Sequence, residues 1–98
     1  LVSDGKATLL DFDTVCNGEP AQDIGNFLAH LEWSALMDDH KPDAAAAAFL
    51  EAYAATHQPA EAARISAHRN ATLLRLACIY RFSTQWKGLA PRLLDLIV

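Results

Sequence analysis

The chain has 98 residues, of which 52% are hydrophobic and 20% charged, and its formal net charge is −4. This length allows one small domain with a modest core, and the composition is too apolar for intrinsic disorder. The eight basic residues form no positive stripe, and no apolar run is long enough to span a bilayer. We therefore expect a cytoplasmic globular chain with neither a nucleic-acid partner nor a membrane partner.

The N-terminal residues predict a β-hairpin. Asp4-Gly5 separates two apolar segments, and Asp-Gly in such a position favours a two-residue hairpin turn. We expect paired strands over residues 1–2 and 7–11, with Asp11 at the end of the second strand. The sequence starts within an apolar pair and without Met, which indicates that residues of a longer protein complete this sheet.

Four or five helices are predicted after the hairpin. Pro20 suits the first turn of a helix because its missing N–H would be unpaired there, and apolar residues then recur at the helical period. The alanine tract after Pro42 favours a second helix. The predicted helices cover residues 20–36, 42–56, 60–83 as one helix or two joined near 68–70, and 90–98. The fold class is therefore expected to be α+β and mostly α.

Two acids flank Phe12 where the second predicted strand ends. Mg²⁺ is bound by oxygen ligands, and one or two carboxylates together with water and substrate phosphates are sufficient. Asp11 and Asp13 are therefore candidate metal ligands, and Phe12, on the opposite side of the pleat, is expected to anchor the turn in the core. The alternative for Asp11 is a carboxylate that caps its own turn.

The segments "LLDFD" and "GEPAQDIGNFLAHL" resemble the C-terminal lobe of the aminoglycoside phosphotransferase and choline kinase-like family, which has the protein-kinase fold. The resemblance covers residues 1–31, and the helical remainder agrees only in class. The family pattern has an apolar strand ending in D-F-D or D-F-G, then G-[DE]-P, then D-[LI]-[AG] at the start of a helix. The matching elements are Asp11-Phe12-Asp13, Gly18-Glu19-Pro20 and Asp23-Ile24-Gly25.

The resemblance implies a role for each matched residue. Asp11 would hold the Mg²⁺ that bridges the ATP phosphates, and Asp13 would reach a second metal or remain a solvated loop carboxylate. Asp23 would accept hydrogen bonds from the backbone of the catalytic loop, although the helix dipole alone also favours an acid in the first turn. Gly25 costs about 1 kcal/mol in a helix relative to Ala, which close packing under the active site would justify.

The sequence says less about which residues would bind the acceptor substrate. In the family, acceptors bind between the catalytic loop and the C-terminal helices, which makes Glu32 and Trp33 candidate substrate-binding residues. The alternatives are a solvated acidic helix end, where Glu32 is followed by Asp38 and Asp39, and a core position for Trp33.

The family's catalytic segment, H-G-D-x-x-x-x-N, does not occur in these 98 residues. It supplies the general base and a second metal ligand, so the resemblance implies a base upstream of Leu1 and an inactive chain on its own. The full-length protein would transfer the ATP γ-phosphate to a small-molecule acceptor hydroxyl. The alternative is a non-catalytic helical interaction module that forms a homodimer through an exposed apolar surface.

Overall fold

All 98 residues are described by a computed structural model. Two short strands precede four α-helices, and a 3₁₀ turn at Lys87–Leu89 lies between the last two helices. The elements are β1 (Val2–Ser3), β2 (Lys6–Ala7), α1 (Pro20–Asp38), α2 (Asp43–Thr56), α3 (Ala62–Tyr80) and α4 (Ala90–Asp95). This confirms the predicted fold class, α+β and mostly α, with an N-terminal antiparallel hairpin.

The hairpin has the turn that its sequence predicts, but its second strand is shorter. Asp4 and Gly5 both have positive φ, 52° and 73°, as a type I′ turn requires. Val2 pairs with Ala7, and the backbone N–H of Thr8 donates to Leu1 O at 2.8 Å. Pairing ends there, so the predicted strand over 7–11 is wrong beyond its first residues. With no third strand beside it, the segment 9–11 has no backbone partner.

Helices α1 and α3 form the centre of the molecule, and α4 packs on α3. The core is a cluster of buried apolar side chains in which Leu73 and Leu93 are completely inaccessible to solvent. Two of its side chains come from α1, three from α3 and one from α4. Its members are Ala29, Trp33, Leu73, Leu76, Ala77 and Leu93.

Gly25 lies at a close contact between α1 and α3. A Cβ at this position would lie 2.7 Å from both Arg69 N and Ile65 O and 2.8 Å from His68 Cβ. Two of these three atoms belong to the backbone of α3, which cannot move without displacing the helix. The close packing expected for this glycine is therefore present, and it lies between the two central helices.

The observed helix boundaries agree well with the predicted ones, whereas the buried residues agree with the prediction only in part. Helix α3 is continuous through residues 68–70, and α4 ends at Asp95 rather than at the last residue. Phe27 follows the helical period of the apolar residues of α1, which predicts a buried side chain, but it is 41% exposed, and α2 has no buried residue at all. None of the helices is both long and apolar enough to cross a bilayer.

Candidate functional site

The two acids proposed as metal ligands lie in the segment between β2 and α1. Asp11 has a left-handed backbone, with φ of 64°, and both Asp11 and Asp13 are exposed. A turn follows, in which the N–H of Val15 donates to Phe12 O at 3.1 Å. Asp11 is therefore placed by a turn four residues after β2, and the expected position at a strand end is wrong.

Phe12 does not anchor this turn in the core. Its side chain is 62% exposed, and the neighbouring apolar residues Leu9, Leu10 and Val15 are 79%, 65% and 71% exposed. A two-stranded hairpin has no second layer packed on it here, so these side chains stay exposed. The segment from Leu1 to Val15 is an apolar surface, which we call the N-terminal apolar segment.

An open groove of about 990 Å³ begins just after the acids. One wall comes from residues 14–19 and the first half of α1, and the other comes from α2. Asp23 is exposed in the first turn of α1 and lines this groove, whereas Asp11 and Asp13 do not line it. The rings of Phe27 and Phe49 meet across the groove, with centroids 4.4 Å apart.

Glu19 carries an ion-pair cluster that sequence reasoning did not identify. Its carboxylate accepts hydrogen bonds from Arg64 Nε, from Arg64 Nη2 at 2.8 Å, and from His68 Nε2 at 3.2 Å when that nitrogen bears the proton. The Arg64 bonds, and secondarily the His68 bond, lower the pKa of Glu19 from 4.5 to about 2. We call these three residues the Glu19 clamp. The i, i+4 spacing of Arg64 and His68 on α3 was the available signal.

The lowered pKa of Glu19 predicts a specific acid sensitivity. A carboxyl whose folded pKa lies below its unfolded pKa stabilises the fold above the unfolded value, and this contribution is lost as the pH falls through the folded value. For Glu19 that window runs from 4.5 down to about 2. We expect the urea midpoint to fall across this window and the Glu19→Gln variant to show a shallower fall. Equal slopes for the two proteins would contradict the assignment.

Glu32 and Trp33, the candidate substrate-binding residues, are both engaged inside the protein. Glu32 receives a bidentate pair from Arg69, with Nη2 at 2.6 Å from Oε1 and Nε at 2.9 Å from Oε2. Arg69 also donates to Leu96 O at 3.2 Å. Trp33 is 3% exposed and packs against Tyr80 with ring centroids 4.2 Å apart. Both side chains hold helices together here.

We therefore expect the Glu32→Gln substitution to act on stability. The amide keeps the shape but loses the charge and one acceptor, leaving the partly buried Arg69 under-satisfied, which should cost about 1–2 kcal/mol in the free energy of unfolding. Chemical denaturation measures this. The exposed carboxylate of Asp38 offers a matched control, and Asp38→Asn should change the stability by less than about 0.5 kcal/mol. An unchanged Glu32→Gln variant would contradict the structural role.

The chemistry available near the loop is that of carboxylate oxygens. Asp11 and Asp13 are hard oxygen donors of the kind that Mg²⁺ prefers, and Mg²⁺ completes its shell with water and phosphate oxygens. No group of three or more His, Cys, Asp or Glu side chains lies close enough to hold a metal ion. Asp11 and Asp13 are thus the only candidate protein ligands at this position, and a metal ion there would need its remaining ligands from water or from a bound molecule.

The molecule was also compared with known proteins. No protein-family model, no curated protein and no solved structure matches this chain.

Proposed function

We propose that this chain is the C-terminal, mostly helical part of an ATP-dependent small-molecule phosphotransferase. The observation that carries the proposal is the ordered set Asp11-Phe12-Asp13, Gly18-Glu19-Pro20 and Asp23-Ile24-Gly25 within fifteen residues. Each element alone is weak, and the order and spacing of the three make the set specific. The reaction would transfer the γ-phosphate of ATP to an acceptor hydroxyl, in the cytoplasm.

In this proposal Asp11 would hold Mg²⁺, and the ion would supply positive charge against the ATP phosphates. Asp13 stands two residues away and would contact a second metal ion or a metal-bound water. Asp23 would accept hydrogen bonds from the catalytic loop, and its exposed position at the N-terminus of α1 leaves it accessible to another segment. The general base would come from residues outside the 98 described here.

Two features of the molecule support the proposal. Gly25, which ends the third matched element, is required by the α1–α3 contact, so the motif is joined to the fold at that residue. The N-terminal apolar segment is the second feature, because its apolar side chains are exposed next to Asp11. Such an exposed surface would be explained if further protein packs against it in the complete enzyme. An active site assembled from this segment and additional residues would bury it.

The direct test begins with the reading frame that encodes this chain. The proposal expects an H-G-D-x-x-x-x-N segment a few residues before Leu1, and its absence would overturn it. The protein made from the whole frame should convert Mg²⁺·ATP to ADP in the presence of a suitable hydroxyl acceptor. The 98-residue chain alone should show no binding in a Mg²⁺·ATP titration. Micromolar affinity would contradict the proposal that essential ATP-binding residues lie outside these 98 residues.

The same apolar segment favours a second candidate function, a non-catalytic helical module that forms a homodimer. Large exposed apolar surfaces mark sites of association. Light scattering after size-exclusion chromatography distinguishes the candidates. A stable dimer whose interface includes Phe12 would favour the module, and a monomer would count against it.

A further inference from the structure

The hydrogen bonds of residues 1–18 are all local. They lie in the hairpin, where Leu1 pairs with Thr8, and in the turn where Val15 N–H donates to Phe12 O. No hydrogen bond joins this part of the chain to α2, α3 or α4. No hydrogen bond therefore holds residues 1–18 against the helical body ahead of the start of α1.

Glu19 is the first residue along the chain that is bonded to a distant helix. Its partners Arg64 and His68 lie 45 and 49 residues further along, on one face of α3. Glu19 is also the N-cap position of α1, yet its side chain makes no capping hydrogen bond. The carboxylate is directed to α3 instead of to its own helix.

The geometry points to Arg64 and His68 as positioning residues that fix, through Glu19, the loop carrying Asp11 and Asp13. This inference rests on the proposed phosphotransferase function and extends it to α3. Arg64 is the stronger partner, because its guanidinium binds both carboxylate oxygens and so fixes the orientation of the carboxylate as well as its position. His68 adds a single bond to Oε2.

The separation between loop and helix can be measured on the 98-residue chain. Its two cysteines, Cys16 in the loop and Cys78 on α3, are free and exposed, so nitroxide labels can be attached to both. Double electron–electron resonance then reports the distribution of distances between them. We expect Arg64→Gln to broaden or shift this distribution, and Glu19→Gln to have the same effect because it removes the same bonds.

Arg75→Gln is the matched control. Arg75 is another exposed arginine of α3, and its only side-chain bond reaches Asn26 Oδ1 at 3.3 Å. Its replacement should leave the distance distribution unchanged. Helical circular dichroism should be retained in all three variants, because none of the replaced side chains is buried. An Arg64→Gln distribution identical to that of the unsubstituted chain overturns the inference.

The second readout uses the protein made from the whole reading frame. A misplacement of about 1 Å at a reacting group can reduce the rate about a hundredfold, so Arg64→Gln should lower kcat about tenfold to a hundredfold and raise the Mg²⁺ concentration that gives half-maximal rate. Arg64→Lys keeps the positive charge and should recover part of the loss. Recovery should be incomplete because one ammonium cannot bind both carboxylate oxygens as the guanidinium does. Arg75→Gln should leave both quantities unchanged.

The two hypotheses fail differently. An unsubstituted protein without transferase activity overturns the proposed function and, with it, the positioning role. An active protein in which Arg64→Gln broadens the distance distribution but leaves kcat and the Mg²⁺ dependence intact overturns the positioning role alone. Loss of stability without a change in either readout would assign the Glu19 clamp to folding only.

Discussion

The Asp11→Asn substitution should lower phosphoryl transfer by about a hundredfold or more in the protein made from the whole reading frame. Asn keeps the size and shape of the side chain but removes the negative charge that would bind Mg²⁺ under the proposed function. The loss should appear in kcat, and raising the Mg²⁺ concentration should recover only part of it. Initial rates of ADP release across a Mg²⁺ titration measure both effects.

Asp13→Asn is the natural control for Asp11→Asn. Both carboxylates are exposed and lie in the same loop, so neither substitution removes a buried contact. The proposal requires the Asp11 variant to lose much more activity than the Asp13 variant. Equal residual activity in the two, or near-normal activity in the Asp11 variant, would mean that the metal is not held at this position.

The Gly25→Ala substitution should reduce the free energy of unfolding by about 2–3 kcal/mol. Alanine would gain about 1 kcal/mol from its better helix propensity. That gain is outweighed because the new methyl group would meet backbone atoms of α3 at 2.7 Å, and the helices must separate to admit it. Such a loss is a large fraction of the about 5–15 kcal/mol by which natural domains are stable. Urea denaturation followed by circular dichroism measures it.

Gly88→Ala provides the comparison for Gly25→Ala. Nothing lies within 4 Å of a Cβ at Gly88, so this variant should be neutral or slightly stabilised. A Gly25→Ala protein as stable as the Gly88→Ala protein would show that α1 and α3 do not pack at the observed distance.

The helices could be predicted from local sequence because their signals are local. Pro20 marks the start of α1 and the alanine tract marks α2, so the predicted boundaries of both helices fall within about two residues of the observed ones. The buried faces were harder to predict. Phe27 follows the helical period yet is exposed, because the neighbouring helix α2 makes few contacts with α1.

The ion pairs depended on tertiary structure that no local pattern reveals. Glu19 could be recognised as part of a motif, but its partners Arg64 and His68 come from another helix. The sequence pattern around Glu32 is typical of a solvated acidic helix end. In the structure α3 packs beside α1, and Arg69 of α3 binds the Glu32 carboxylate. The predicted second strand is too long for a similar reason. Leu9 and Leu10 are residues typical of a strand, but no neighbouring strand pairs with them.

Helix α2 contributes a wall of the groove but no buried residue to the core. Its sequence is therefore under little constraint from folding, since most substitutions there would remove neither core volume nor a buried polar partner. Divergence in α2 could reshape the groove through Phe49 and Tyr53 while α1, α3 and α4 stay intact. The shape of the groove and the thermodynamic stability can thus change through substitutions on separate helices of this small chain.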